Sequence, residues 1–220
     1  MTHTSPTVSS RSFVSLAVGG LAFIAGGVLH PGDSGTGTKT EQLHEMLVDP
    51  SWYPAHALLL LATVGFAAGA LALHRDGTGG SGVVSVATRI ASVVGVVAVI
   101  GMAIHLLEAL NADAIADGHA NLFAQVQVVN ETVIDAAWGL AFAALAVAGG
   151  LTRAIGYPVT AALGGVGGGA FALASATIAF TDRFDPLFPV SALLGTWAIW
   201  IGVARNRAGV PERAKTSAGR

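Results

Sequence analysis

The sequence predicts an all-α integral membrane protein, a bundle of about six transmembrane helices with a short outer interfacial helix. Three observations predict it. Apolar residues make up 53 % of the 220 and charged residues only 11 %, about half the charged share of an ordinary soluble domain. Mean hydropathy is +0.66, which is more apolar surface than one water-soluble domain of this size can hide. The apolar residues also gather into six runs, Phe13–Leu29, Tyr53–Leu73, Ile90–Leu110, Val126–Ala148, Val159–Phe180 and Leu187–Ala204. Each is near the ~20 residues that cross ~30 Å of hydrocarbon.

The punctuation between the runs follows the same logic. Arg11 precedes the first run. A cleaved signal peptide is the rival reading there. The run is long for one, no A-x-A-type site follows it, and it reads as a retained helix. His30-Pro31-Gly32 stops it. In the connection that follows, Thr38-x-x-Glu41 is a capping box. Leu43, Met46 and Leu47 recur at helical spacing and Asp49-Pro50 ends the run, which predicts an amphipathic helix lying on the outer interface. Pro54 falls in the first turn of the second span, where its missing N–H costs nothing. Gly77–Gly82 reads as a turn, and Gly156-Tyr157-Pro158 separates the fourth and fifth spans. Residues 1–12 form an N-terminal tail, 13–204 the transmembrane domain, and 205–220 a basic, disordered tail.

Charge sets the orientation. Arg11, Arg75, Arg89, Arg153 and the basic residues after the sixth span fall on one side if the spans alternate. The other side holds Asp33, Glu41, Glu45, Asp49, Asp113, Asp117, Asp182 and Asp185, with Lys39 and Arg183 as its basic residues. The positive-inside rule then places both termini in the cytoplasm and the chain in the plasma membrane as a multi-pass protein. Trp52 and Tyr53 read as outer-interface markers, and Tyr157, Trp197 and Trp200 as inner ones. Membrane lipid is therefore the first expected partner. A net charge of -2 with no basic patch does not suggest nucleic acid. With no cysteine, disulfides, thiolate metal sites and iron–sulfur clusters are excluded. Span five carries Gly164-xxx-Gly168 and Gly165-xxx-Gly169. Such small-residue stripes pack helices closely, within one bundle or against a partner or second copy.

Ionisable groups inside spans are costly and mark function, and here they form one layer. His30 ends span one and His56 lies in the first turn of span two. His105 and Glu108 lie near the outer end of span three, and Glu131 and Asp135 near that of span four. All six fall in the outer leaflet. His105 and Glu108 are i,i+3 and Glu131 and Asp135 are i,i+4, so each pair shares a helix face. Gln127, Asn130 and Trp138 extend the second stripe, and His44 and His119 lie in outer connections as lid candidates.

Three imidazoles with carboxylates are a ligand set for zinc, iron, copper or manganese. On this reading His30, His56, His105 and Glu108 hold the ion. Glu108, Glu131 and Asp135 are the candidate catalytic carboxylates, one of them a base for metal-bound water acting on a lipid or apolar substrate. Haem b, with His56 and His105 as axial ligands, is the alternative cofactor. The carboxylates, and the shortage of outer Arg or Lys for propionates, weigh against it. A structural version of the His105–Glu108 pair, locking the bundle without a ligand, also remains. A transporter would place its ionisable groups along a path or near the midplane, whereas the inner halves of these spans lack them; a neutral solute stays open. So does a non-catalytic partner subunit. There is no H-E-x-x-H, phosphate-binding glycine loop or G-x-S-x-G elbow.

Overall fold

The computed structural model describes residues 10–32, 34–78, 80, 82–117 and 122–208. Helix α1 (Ser10–Leu29) is followed by the short α2 (Lys39–Val48), α3 (Trp52–Arg75) and α4 (Val83–Leu106). A 3-10 turn (Glu108–Asn111) leads to the five-residue α5 (Ala112–Ala116). The fourth span is composite. It starts as α6 (Leu122–Val129), opens into a π-helical turn (Asn130–Asp135) and continues as α7 (Ala136–Leu151). Then come α8 (Pro158–Thr177), two 3-10 turns (Asp182–Leu187 and Pro189–Ser191) and α9 (Ala192–Ala208). Six of these segments are long and apolar enough to cross a membrane, and the described residues contain no strand. The chain is an all-α, multi-pass membrane-type bundle.

The spans close into a ring. Helix α1 packs on α3 and α9, α3 on α4, α4 on α7, α7 on α8, and α8 on α9. Facing glycines bring three of these pairs together: a Cβ on Gly65 would lie 2.7 Å from the Gly19 Cα, one on Gly195 2.8 Å from the Gly20 carbonyl, and one on Gly168 2.6 Å from the Gly139 carbonyl. Such approaches leave room for no side chain, which is the use of small residues in membrane helices. Gly164 faces Ala146 and Trp197 inside the bundle and Gly165 meets Val147, while around Gly169 the space is open.

Aromatic rings fill the middle of the ring of helices. Trp138 stands 5.5 Å from Phe23, 5.1 Å from Phe66, 5.2 Å from Phe142 and 5.4 Å from Phe171, centre to centre, edge to face with Phe66 and Phe171 and tilted against Phe23 and Phe142. These separations are those of favourable aromatic pairs. The polar layer lies between this plug and α2.

Several sequence expectations shift. The third span begins at Val83, about two turns before Ile90, because Gly82 in a left-handed conformation (φ 103°) ends the turn there. Arg89 lies within α4, exposed. The same helix ends at Leu106, where the Leu107 N–H reaches back to the Ile104 carbonyl at 2.9 Å and tightens the chain into the 3-10 turn. Glu108 is thus outside the spanning helix. Proline shapes the start of the sixth span: Pro186 and Pro189 fall in 3-10 turns, and the α-helix begins only at Ala192. Helix α9 continues to Ala208, while the apolar span that includes it ends at Ala204, where the sequence places it; residues 209–220 lie outside the described residues.

Trp52 and Trp197 are not interface markers. They are 1 % and 0 % exposed, Trp52 under α2 and Trp197 against Gly164. Tyr157 and Trp200 are exposed. The capping box at α2 is present: the Thr38 N–H donates to Glu41 Oε2 at 2.7 Å and the Glu41 N–H to Thr38 Oγ1 at 3.3 Å. Its apolar face meets protein, since Leu43, Met46 and Leu47 pack with Trp52, Ala112 and Ile115. Helix α2 is therefore a cover on the end of the bundle. It is tied down by an ion pair from Lys39 to Asp182 and by His44 Nε2, 3.3 Å from Asp113.

Candidate functional site

Four elements bring the polar layer together beneath α2. His30 follows the last residue of α1, where the helix stops before Pro31. His56 lies one turn into α3, directly after Trp52 on the same face. Their ring centres are 4.9 Å apart. His105, in the last turn of α4, stands 4.7 Å from His56. The indole of Trp52 is stacked on His56 at 3.7 Å and meets the edge of His105 at 5.1 Å. It is fixed by donating its Nε1–H to the Leu106 carbonyl at 3.3 Å.

Each imidazole has the same nitrogen engaged. His56 Nδ1 lies 2.7 Å from the Trp52 carbonyl and His30 Nδ1 2.9 Å from the Pro31 carbonyl. A carbonyl only accepts, so both rings carry a proton on Nδ1, and in the neutral form of each ring Nε2 presents the lone pair. His105 Nδ1 is 2.7 Å from Glu108 Oε2. The turn explains this contact, because a 3-10 segment carries Glu108 back over His105. On the other side of the ring, His105 Nε2 faces Glu131 Oε1 at 3.9 Å. Glu131 in turn accepts a hydrogen bond from Gln127 Nε2 at 3.3 Å.

His56 and Glu108 are 0 % exposed and His105 is 5 % exposed. His56 Nε2 and Glu108 Oε1 are buried without a hydrogen-bond partner, as are Gln127 Oε1 and both amide atoms of Asn130. Buried polar atoms nearly always find partners, and leaving one unpaired costs about 1–3 kcal/mol. Several such atoms lie together in this one layer. No Lys or Arg among the described residues pairs with Glu108, Glu131 or Asp135.

The expected residues thus separate. His30, His56 and His105 form one contiguous cluster, although His30 is exposed where the other two are buried. Glu108 and Glu131 flank His105 on opposite sides. Glu108 is consequently beside Nδ1 of His105, on the side of the ring away from Nε2. Asp135 is half-buried one turn below Glu131 and interacts with it through space, with no hydrogen bond or ion pair of its own among the described residues. His44 pairs with Asp113 on the surface, beside a recess of about 420 Å³ lined by Thr36, Thr40, Glu41 and Glu45. His119 and Asp33 lie outside the described residues.

Two features escaped sequence reasoning. Trp52 is part of the site, and the signal was its i,i+4 spacing to His56 on an apolar helix. The π-turn carrying Glu131 and Asp135 has no signature in the residues, yet such turns recur at functional sites.

Among the described residues, no three His, Asp or Glu side chains stand close enough together to chelate an ion as they are. The ring centres are 4.9 Å apart for His30 and His56 and 4.7 Å apart for His56 and His105. Two imidazoles on one ion at 90–110° have centres roughly 4.5–5.2 Å apart, given metal–nitrogen bonds of about 2.0–2.1 Å. Fold and site together define a class, a polytopic all-α membrane-type bundle with a buried imidazole–carboxylate cluster at one end. Comparison with protein-family models, curated proteins and solved structures found no match for this chain.

Proposed function

We propose that this chain is a membrane metalloprotein of the plasma membrane, with both termini cytoplasmic and its metal site in the outer leaflet. His30, His56 and His105 bind a divalent transition ion through Nε2, with Glu131 beside them. The observation that carries this reading is the pattern of engaged nitrogens. Every imidazole has Nδ1 held by a carbonyl or carboxylate while Nε2 is turned elsewhere, and His56 Nε2 is fully buried with no partner. Metal-bound histidines are held in this way. A set of nitrogens and carboxylate oxygens without sulfur suits zinc, iron, manganese or copper in the divalent state.

Spacing favours an ion over haem b. Axial histidines on opposite sides of an iron stand roughly 6 Å apart between ring centres, from bonds of about 2.0–2.1 Å on each side. The 4.7 Å between His56 and His105 is shorter. A bound ion supplies a Lewis acid and lowers the pKa of its water. Around it, Glu108 holds the His105 ring, Trp52 covers His56 and His105, and Asp135 is a carboxyl in the same layer with no hydrogen bond or ion pair among the described residues, placed to take up a proton. The apolar surroundings and the outer-leaflet depth suit a lipid or other apolar substrate.

The test is metal analysis and a visible spectrum of the detergent-purified protein, prepared without chelators and reloaded. About one ion per chain is expected, lost in His56→Ala and His105→Ala and retained in His44→Ala. No ion in the reloaded wild type overturns the proposal, and a Soret band replaces it with haem.

A further inference from the structure

We infer that Gln127 and the π-helical turn Asn130–Asp135 are a positioning device for Glu131, setting its carboxylate against His105 Nε2 as the fourth ligand of the proposed ion. The inference rests on the metal reading above and adds to it how the fourth donor is held.

Three observations carry it. First, Gln127 donates from Nε2 to Glu131 Oε1 while its own Oε1 is buried with no partner, at 1 % exposure. A buried amide left half-satisfied is costly to the fold alone. What it does provide is a fixed hydrogen bond to a carboxylate that faces an imidazole, the usual support of a metal-ligating group. Second, the π-turn is anchored to the helix that bears His105. Asn130, 1 % exposed, lays its amide in the notch left by Gly101 of α4, where any Cβ would collide with Asn130 Oδ1. Gly101 is one turn from His105 on the same helix, so this contact sets the register between the two groups that must meet. Third, the wider turn changes the phase of the span. Its i→i+5 bonding uses more residues per turn than an α-helix, which rotates α6, with Gln127, relative to α7, with its buried aromatic face. The turn also exposes Val133, at 58 %, on the opposite side. Removing one residue there returns the segment to α-helical phase without disturbing the core directly.

Co²⁺ is the probe, read by its visible ligand-field bands and by titration, with thermal unfolding followed in parallel. Gln127→Leu is expected to weaken Co²⁺ binding about 10- to 100-fold, the usual cost of losing an outer-shell support, with little change in Tm. In a Glu131→Gln background the same change is expected to have no further effect, since coupled residues are not additive. Deleting Val133 is expected to give the Co²⁺ spectrum of Glu131→Gln. Gln127→Met serves if Gln127→Leu does not fold. The inference is overturned if the wild type binds Co²⁺ and Gln127→Leu binds it equally well, or if the Gln127 effect persists undiminished in Glu131→Gln. Wild type that binds no ion at all overturns the metal reading itself.

Discussion

Gly168 and Gly169 are adjacent on α8 and should respond in opposite directions to the same methyl group. A Cβ at Gly168 would lie 2.6 Å from the Gly139 carbonyl oxygen and 2.9 Å from the Ala143 Cβ, both short of the 3.4 Å at which ordinary contact begins. Backbone cannot rotate aside as a side chain can, so α7 and α8 must separate. Overpacking of this kind costs about 1–3 kcal/mol. Against it stands the gain of about 1 kcal/mol from replacing a helical glycine by alanine. Gly168→Ala is therefore expected to be destabilised by up to about 2 kcal/mol. At Gly169 no atom lies within 4 Å of the added Cβ, and Gly169→Ala keeps only the gain, about 1 kcal/mol. The difference between the two isolates the packing cost. Denaturant or thermal unfolding in detergent, with chain mass measured alongside, reads it. Equal shifts would refute the close approach of α7 and α8. A destabilised Gly169→Ala that also dissociates would show that a second copy or another helix covers that face.

Phe66 is 0 % exposed and has rings 4.9 Å away at Phe142 and 5.1 Å away at Trp138. Phe66→Ala should cost about 3–5 kcal/mol in unfolding measurements, and a loss below about 1 kcal/mol would mean the aromatic centre is loosely packed. At the other end, the Thr38 N–H and hydroxyl hold the Glu41 carboxyl below its ordinary range. A pKa lowered by folding stabilises α2 fully above the ordinary value near 4.5; that contribution is lost as pH falls through the lowered one. Amide-exchange protection of the first turn of α2 should accordingly drop in acid, and Glu41→Gln should abolish the pH dependence.

Depth counting along each span found the polar layer, because His30, His56, His105, Glu131 and Asp135 stand out against an almost uncharged background. Thr38 and Glu41 gave α2 its start for the same reason, a local rule satisfied by local residues. What failed was decided by partners remote in sequence. Trp52 reads as interfacial until Leu47, Ala112 and Ile115 cover it. Arg89 reads as the edge of a span, yet a helix carries it exposed two turns inside. The π-turn depends on Asn130 meeting Gly101 from another helix, a fit that no single segment encodes. Glu108 was assigned a face shared with His105, and it does meet that ring, but through the 3-10 turn beyond the helix end.

The rings of Phe23, Phe66, Trp138, Phe142 and Phe171 meet across the middle of the bundle. This packed aromatic centre closes the bundle on the side of the imidazole layer away from α2. On the metal reading proposed above, an ion would therefore reach His56 and His105 past α2 or between helices, and not along the axis of the bundle.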